Sequence, residues 1–219
     1  MTEAAPQAAR PVTELRGVGA ALAGRLRNLG IETTQDLLFM LPLRYEDRTR
    51  VVPLGELRAG GRAAVEGDIL LTEVSFKGRR QMLCRIADGS GFLTLRFFHF
   101  NGQQQSGLAR GTRIRCFGEV RRGPQGLEIV HPEYRRVQTP AATGADEHLT
   151  PIYPSTLGVT QGRLRMLVGA ALGETASLDL PDLLPDEVLA DSDLPGLREA
   201  LRYVHRPPAD APVALLLEG

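Results

Sequence analysis

Length, composition and charge define the broad class of this chain. Its 219 residues are 42% hydrophobic and 24% charged, which is typical of a globular protein with a packed core. No apolar run approaches the roughly 18 residues of a membrane span, so we expect no membrane contact. The two cysteines, Cys84 and Cys116, are too few for a disulfide framework, and the four histidines are scattered. The sequence therefore predicts no metal site and no catalytic residue.

The net charge of zero hides an uneven distribution. Residues 61–137 carry 13 basic and 7 acidic side chains, whereas residues 138–219 carry 5 basic and 12 acidic ones. The basic middle segment favours contact with a polyanion, although solvated surface charge gives the same pattern. Lys77 is the single lysine, and it lies outside any G-x-x-x-x-G-K-[ST] pattern of the kind that binds nucleotide phosphates. We therefore expect no ATP hydrolysis by this chain alone.

The N-terminal part of the chain predicts helices. Residues 1–11 are polar and rich in alanine, which predicts a disordered lead. Residues 12–60 predict a helical segment in which two helices flank a turn at Gly17 and Gly19. The residues expected to end or begin these helices are Gly30, Thr33 or Thr34, and Pro42. The pattern resembles a helix-hairpin-helix motif, whose turn brings backbone N–H groups to a DNA phosphate. A hairpin that only packs against its neighbour is the alternative.

Residues 61–137 predict five β-strands with a short helix between the third and the fourth. Alternation and turn residues place the strands at 65–74, 81–87, 92–100, 113–121 and 126–134, and the helical turn at 102–109. This is the element order of an OB-fold, a five-stranded Greek-key barrel that binds oligonucleotides. The sequence therefore predicts an α+β protein with N-terminal helices, a five-stranded OB-fold barrel and a C-terminal helical segment.

Basic side chains occupy the two loops with which an OB-fold contacts nucleic acid. The loop between strands one and two contains Lys77, Arg79 and Arg80. The loop between strands four and five follows Arg121 and Arg122. We expect these five side chains to contact DNA phosphates.

The third predicted strand separates into two faces, because successive side chains of a strand point to opposite sides. Alternation gives a core set and then an outer set: Leu93, Leu95 and Phe97, then Thr94, Arg96 and Phe98. An aromatic ring beside an arginine suits base stacking, worth roughly 1–3 kcal/mol per base. We predict that Phe98 stacks on a base and that Arg96 contacts a phosphate. Two alternatives stay open: Phe98 and Phe100 cover the barrel end, or a one-residue shift gives Phe97 the stacking role.

The remaining residues predict a linker followed by helices. Residues 138–149 are rich in alanine, threonine and glycine, as linkers commonly are. Within residues 150–219, an amphipathic run begins at Thr160 and a second covers residues 194–204. Their apolar stripes indicate packing, either within the chain or against another domain.

Eight short motifs follow one another in a fixed order along the chain. The longest is LPLRYEDRT at residues 41–49. The others are LRGVGA at 15–20, DLL at 36–38, DGSG at 88–91, LRFF at 95–98, HPEY at 131–134, PIYP at 151–154 and LRYVHRPP at 201–208. Together they resemble the N-terminal region of RecG-type ATP-dependent DNA helicases, and so long an ordered set is poorly explained by chance.

The resemblance implies a ligand and a place in a larger protein. RecG proteins remodel stalled replication forks and Holliday junctions in DNA repair and recombination, and their OB-fold wedge domain splits strands at the branch point. The resemblance implies that Phe98, with Phe97 as a second candidate, stacks on bases there. It also implies a motor that uses ATP and Mg²⁺, toward which residues 150–219 would lead. We expect a monomer in the bacterial cytoplasm, associated with the nucleoid, whose partners are branched DNA and its own motor domains; we expect no cofactor in this chain.

Three other functions are compatible with parts of the pattern. A general single-stranded DNA-binding OB module would bind oligo(dT) as tightly as a fork. A protein-docking adaptor would place its basic face against another domain and not against DNA. A nuclease would use carboxylates such as Asp47 and Asp88, but the acidic residues are not clustered as a catalytic metal site requires.

Overall fold

The computed structural model describes residues 10–76, 78–137, 148–174, 180–182, 184–192, 194–212 and 216. The chain divides into two compact units. The helical unit combines Met1–Asp47 with His148–Gly219, and the barrel unit is Arg48–Glu147. The predicted lead at 1–11 and the predicted linker at 138–149 fall almost entirely outside the described residues. No helix within the described ranges is both long and apolar enough to cross a membrane.

Helices lie mainly near the two ends of the chain, and strands lie mainly in its middle. The helices are α1 (Ala20–Arg27), α2 (Thr34–Phe39), α3 (Gly102–Gly107), α4 (Gln161–Gly173), α5 (Asp186–Asp191) and α6 (Leu197–His205). The strands are β1 (Arg44–Glu46), β2 (Arg62–Ser75), β3 (Gln81–Ala87), β4 (Phe92–Phe97), β5 (Arg113–Gly123), β6 (Gly126–Val130), β7 (Glu133–Arg136) and β8 (Thr150–Ile152). Strands β1 and β8 belong to the helical unit, and β2 to β7 with α3 form the barrel unit.

Five strands of the barrel unit close into a barrel. The pairing order is β2, β3, β4, β6 and β5, and β5 pairs back with β2. β4 and β6 run parallel, and the other barrel pairings are antiparallel. α3 follows the third barrel strand, and β7 adds a sixth strand alongside β5. This arrangement confirms the predicted α+β class with a five-stranded OB-fold barrel.

The length of β2 allows the barrel to close. Its residues 62–68 pair with β5 and its residues 68–75 pair with β3. The register shifts between Ile69 and Leu71, and a bulge of this kind bends a strand and increases its twist. β2 can therefore pair with β3 along one part of its length and with β5 along the other, which closes the sheet into a barrel. The barrel core contains fully buried side chains from every wall, among them Val65, Cys84, Leu95, Ile114 and Ile129.

Four of the five predicted strands differ from the structure in their bounds. The first runs from Arg62 to Ser75 where 65–74 was predicted, and the fourth continues to Gly123, two residues beyond its predicted end. The third barrel strand ends at Phe97, three residues before the predicted end. The predicted fifth strand is interrupted at His131, which has φ 48°, and at Pro132, which has no N–H to donate. The interruption divides the predicted strand into β6 and β7.

Ion pairs in which at least one partner is buried stabilise the barrel unit. Glu66 of β2 accepts hydrogen bonds from Arg113 and Arg115 of β5, and the Glu66 and Arg115 side chains are each only 6% exposed. Although burial opposes it, these hydrogen bonds lower the pKa of Glu66. Arg48, from the LPLRYEDRT motif, binds Glu133 through two nitrogens at 2.9 and 3.0 Å. At least part of this motif therefore stabilises the barrel.

The two ends of the chain share one core in the helical unit. Leu26 and Leu38 of the N-terminal helices pack in one cluster with Leu164, Val168 and Leu201 from α4 and α6. Strand β1 also pairs with β8. The sequence predicts an N-terminal and a C-terminal helical segment, and both lie in this one compact unit. The apolar stripes of α4 and α6 are thus buried within this chain.

Helix termini in the helical unit follow local sequence signals. Thr33 caps α2: its hydroxyl accepts from the Asp36 N–H, and the Asp36 carboxylate accepts from the Thr33 N–H. Gly30, after α1, has φ 76°, a left-handed conformation that favours glycine. The Thr160 hydroxyl accepts from the Arg163 N–H at the start of α4. The caps predicted at Gly30 and Thr33 are confirmed, and Thr160, where an amphipathic run was expected to begin, also caps its helix.

Candidate nucleic-acid interface

The strand pairing gathers three segments at one end of the barrel. Met82, near the start of β3, pairs with Phe97 at the end of β4. Arg96 of β4 pairs in parallel with Val130 of β6. The β2–β3 loop, the segment after β4 and the residue after β6 therefore lie at the same end. We call this end the aromatic rim, and its members are Phe76, Arg79, Arg80, Phe98, His99, Phe100 and His131.

The Phe98 ring is half-buried and lies just beyond the end of β4. The Arg79 guanidinium carbon lies 5.3 Å from its ring centroid, which is within the range of a cation–π contact. Arg79 also donates from Nη2 to Nε2 of His99 at 3.1 Å. Arg79 is itself exposed, so the pair presents an aromatic ring and a positive charge together.

A second ring at the rim faces partly inward. Phe100 packs against the barrel core and is half-buried. The guanidinium carbon of exposed Arg80 lies 4.1 Å from the centroid of the Phe100 ring. The expectation that Phe100 covers the barrel end thus agrees with its packing.

Phe97 is a correction to the predicted stacking residues. Its side chain is 2% exposed and belongs to the barrel core, together with Leu93 and Leu95. The core set predicted from the alternation of β4 is therefore confirmed. A ring buried in this way has no face to offer a base, so Phe97 does not share the role predicted for Phe98.

Arg96 is a second correction. Its Nε and Nη2 atoms donate to Oε2 of Glu128 at 3.0 and 2.6 Å, and Nη1 donates to Oε1 of Gln81 at 2.5 Å. Only 12% of the Arg96 side chain is exposed. Its donors therefore bind neighbouring strands, and it is not available to a phosphate. Thr94 of the predicted outer set is also buried, at 5% exposure.

The other predicted phosphate contacts divide between the two ends of the barrel. Arg79 and Arg80 lie at the aromatic rim. Arg121 and Arg122 lie near the β5–β6 turn, which the parallel pairing of β4 and β6 places at the opposite end. Both are exposed, and Arg121 forms a 2.7 Å ion pair with Glu119. Lys77 falls outside the described residues.

Exposed aromatic rings that the sequence analysis did not single out occur at both ends. Phe76, in the β2–β3 loop, is 73% exposed, and Phe92, at the start of β4, is 56% exposed. The Arg85 guanidinium carbon lies 5.3 Å from the Phe92 centroid, and Arg85 also donates to Gln125. A large apolar side chain in a glycine turn, such as Phe76 two residues before Gly78, is the sequence signal that could have identified the first of these.

The glycine hairpin lies in the helical unit. Gly17 has φ 84°, and its carbonyl oxygen accepts a hydrogen bond from Nη2 of Arg163 in α4. Gly19 precedes α1, and no side chain caps that helix. The Arg163 contact gives the hairpin a packing role. The phosphate contact predicted for Gly17 and Gly19 stays a prediction.

Asp88, one of the two acidic residues of the nuclease alternative, holds a turn in place. Asp88 accepts hydrogen bonds from the Leu54, Ser90 and Gly91 N–H groups and from the Ser90 hydroxyl. Although burial opposes it, these contacts lower the pKa of Asp88. The DGSG motif is therefore a turn fastened to residues 54–56. Among the described residues, no group of three or more His, Cys, Asp or Glu side chains could hold a metal ion.

Comparisons with known proteins identify what the chain is similar to. The family model for the RecG wedge domain matches residues 11–174. The ATP-dependent DNA helicase RecG of Escherichia coli K12 is 48% identical over 198 residues, which are 90% of this chain and 28% of that protein. The RecG of Pasteurella multocida is 42% identical over 209 residues, or 95% of this chain and 30% of that protein. The chain thus spans less than a third of the length of either relative.

A solved structure matches the whole chain. It is a structure of RecG bound to a three-way DNA junction, with a TM-score of 0.77 and 25% sequence identity. The match covers 100% of this chain and 29% of that one.

Proposed function

Because the chain belongs to the RecG wedge domain family, we propose that it binds branched DNA and parts the strands at the branch point. Replication forks and Holliday junctions are the branched substrates we propose. The similar solved structure, a RecG bound to a three-way DNA junction, supports this class of ligand.

The observation that carries the proposal is the position of Phe98 at the end of a closed barrel, beside the exposed Arg79 guanidinium. A base that loses its neighbour when a pair opens can stack on this ring. Opening a base step costs a few kcal/mol, and stacking on an aromatic ring returns about 1–3 kcal/mol per base. The rim would therefore offset much of the cost of separating one step.

Arginines at both ends of the barrel would hold the backbones of the parted strands. Arg79 and Arg80 would contact phosphates at the aromatic rim, and Arg121 and Arg122 would do so at the opposite end. We retain Lys77 as a further phosphate contact. Guanidinium groups bind phosphates by charge and paired hydrogen bonds, without reading base edges. Recognition would then depend on the shape of the branch and not on its sequence.

The motor functions belong to other parts of a longer protein. The relatives are ATP-dependent helicases of which this chain matches less than a third. We propose that ATP and Mg²⁺ serve motor domains outside these 219 residues, since the sequence contains no G-x-x-x-x-G-K-[ST] pattern. The wedge would act passively on DNA that the motor pulls.

A competition titration with the full 219-residue chain tests this function. Fluorescence anisotropy would measure its affinity for a labelled fork against unlabelled fork, linear duplex of equal length and oligo(dT). We expect the fork to compete best, with an affinity that falls steeply as salt increases. Equal competition by linear duplex contradicts the proposal, and equal competition by oligo(dT) indicates a general single-strand-binding module.

Phe98→Ala is the decisive variant. It should weaken fork binding roughly 5- to 150-fold, the equivalent of 1–3 kcal/mol for one stacked base. Phe39→Ala is the matched control, since Phe39 is 51% exposed and lies in the helical unit. An unchanged fork affinity in the Phe98 variant favours the protein-docking adaptor instead.

A further inference from the structure

His131 has an unusual backbone conformation for its residue type. It occupies the break between β6 and β7 with φ 48°. Within the described ranges it is the only residue other than glycine with a positive φ. Such a conformation is uncommon for residues with a side chain and persists where surrounding contacts hold it. The contacts of His131 therefore indicate what the conformation achieves.

Those contacts converge on the segment that carries the stacking ring. The His131 N–H donates to the Arg96 carbonyl oxygen at 2.8 Å, and Nε2 accepts from the Phe98 N–H at 3.2 Å. The imidazole stacks on His99 at a centroid distance of 5.9 Å and an interplanar angle of 18°. It also meets the edge of Phe97, at 6.1 Å and 88°. One side chain thus contacts three consecutive residues at the end of β4.

The Phe98 N–H binds this acceptor just beyond the point where the strand ladder ends. The last pairs of β4 are Phe97 with Met82 of β3, and Arg96 with Val130 of β6. A backbone segment without a ladder partner is free to move, and a hydrogen bond from its N–H restricts that movement. The imidazole supplies the missing partner at the point where β4 stops.

The imidazole is suited to accept a hydrogen bond at neutral pH. Burial, with smaller contributions from His99 and Arg79, lowers the pKa of His131. The neutral ring keeps one nitrogen free of a proton, and Nε2 faces the Phe98 N–H. The tautomer that fits this contact carries its proton on Nδ1.

We propose that His131 is a positioning residue that holds the Phe98 backbone, and through it the Phe98 ring, in place to receive a base at the branch point. The proposal rests on the stacking function proposed for Phe98. It assigns a role to the HPEY motif that the strand pattern alone does not explain. His131 itself need not touch DNA.

Two substitutions distinguish the contribution of the His131 backbone conformation from that of its imidazole ring. His131→Gly accepts the left-handed conformation but removes the acceptor, and His131→Asn tolerates that conformation while it offers an amide oxygen. We expect His131→Gly to weaken fork binding about 5- to 10-fold, part of the effect of losing a stacked base. His131→Asn should recover much of the loss. Thermal unfolding of each variant would show that the barrel remains folded.

A fluorescent base reports the stacking directly. With 2-aminopurine at the branch point, wild-type protein should change its emission on binding, and Phe98→Ala and His131→Gly should both lose that change. The double variant should bind no more weakly than Phe98→Ala, because positioning has no effect once the ring is absent.

The outcomes distinguish the positioning role of His131 from the proposed function on which it rests. If Phe98→Ala leaves fork binding unchanged, the proposed function fails and the positioning role fails with it. If Phe98→Ala weakens binding but His131→Gly does not, the function stands and the positioning role is wrong. Additive losses in the double variant also overturn the positioning role, because they place His131 in an independent contact.

Discussion

The helical unit and the barrel unit differ in what their polar and aromatic side chains contact. In the helical unit, Arg163 donates to the Gly17 carbonyl, and the Tyr45 hydroxyl donates to the Val204 carbonyl. His205, 2% exposed, donates from Nε2 to the Leu38 carbonyl and accepts at Nδ1 from the Tyr153 hydroxyl. These donors connect the two ends of the chain within one unit.

In the barrel unit, the equivalent residue types lie at the surface as well as inside. Glu66 and Arg115 form a buried pair, but Arg79 and Arg80 rest on the rings of Phe98 and Phe100 at an open end. Cation–π contacts of exposed arginines are weak, so a phosphate or a base can replace them at small cost. Polar and aromatic side chains of this chain therefore serve two purposes, and exposure separates the structural ones in the barrel unit from those suited to bind a ligand.

The largest expected effect concerns the buried Glu66–Arg115 ion pair, which is a structural contact of the barrel unit. Glu66→Ala leaves Arg115 buried without its carboxylate and should cost about 3–5 kcal/mol of unfolding free energy, as for other broken buried pairs. Asp68→Ala removes the other partner of Arg113, but Asp68 is 50% exposed and the cost should be about 0–1 kcal/mol. Urea unfolding followed by circular dichroism measures both. Equal losses would contradict the distinction between the buried and the exposed pair.

The glycine hairpin gives the next effect. Gly17→Ala places a side chain at φ 84° with its Cβ 3.1 Å from Nη2 of Arg163, and should cost about 1–2 kcal/mol. Gly19→Ala is the control, since a Cβ there meets nothing within 4 Å and the backbone is extended. Thermal unfolding compares the two. Lower fork affinity in Gly19→Ala at unchanged stability is the result expected if the hairpin contacts a phosphate.

The same contrast explains how much of the fold could be predicted from the sequence. β3 has the predicted bounds, and the Thr33 cap is as predicted, because alternation, turn residues and caps act over a few residues. The shared core of Leu26 with Leu164 and Leu201 depends on contacts between residues far apart in the sequence. An apolar stripe predicts that a helix face is buried, but it does not indicate which other segment of the chain that face packs against.

In the candidate site, as in the fold, the sequence predicts which side chains are buried but not which residues they contact. Alternation placed Leu93, Leu95 and Phe97 in the core and left Phe98 outside it, as the structure has them. It placed Arg96 on the outer face but could not show that Glu128 of a neighbouring strand binds it there. Partners across a sheet follow from register, which the β4 sequence alone does not contain.

Acid should weaken the helical unit through His205. Burial lowers the pKa of His205, partly offset by its hydrogen bond to Leu38, whereas the unfolded chain binds a proton at about pH 6.5. Below that pH the unfolded state binds more protons, so stability is lost as the pH falls, by up to about 1.4 kcal/mol per unit. His131, whose pKa is also lowered, adds a loss of the same sign.

The variant His205→Asn isolates this contribution. It cannot titrate, so its unfolding free energy should fall less than that of the wild type between about pH 6.5 and 5. The difference between the two pH profiles belongs to His205, since both proteins retain His131. Parallel profiles would show that the buried imidazole does not oppose protonation.

The smallest effect tests the ligand-binding side of the comparison. Arg80→Ala should lower the slope of log affinity against log salt concentration for a fork by about one, the contribution of one neutralised phosphate. Arg110→Ala is the control, because Arg110 is also exposed on the barrel unit but lies in the connection between α3 and β5, outside both predicted DNA loops. Titrations at several salt concentrations measure the slopes. If both variants change the slope equally, the barrel attracts DNA through its general charge, and exposure at the aromatic rim does not mark a specific phosphate contact.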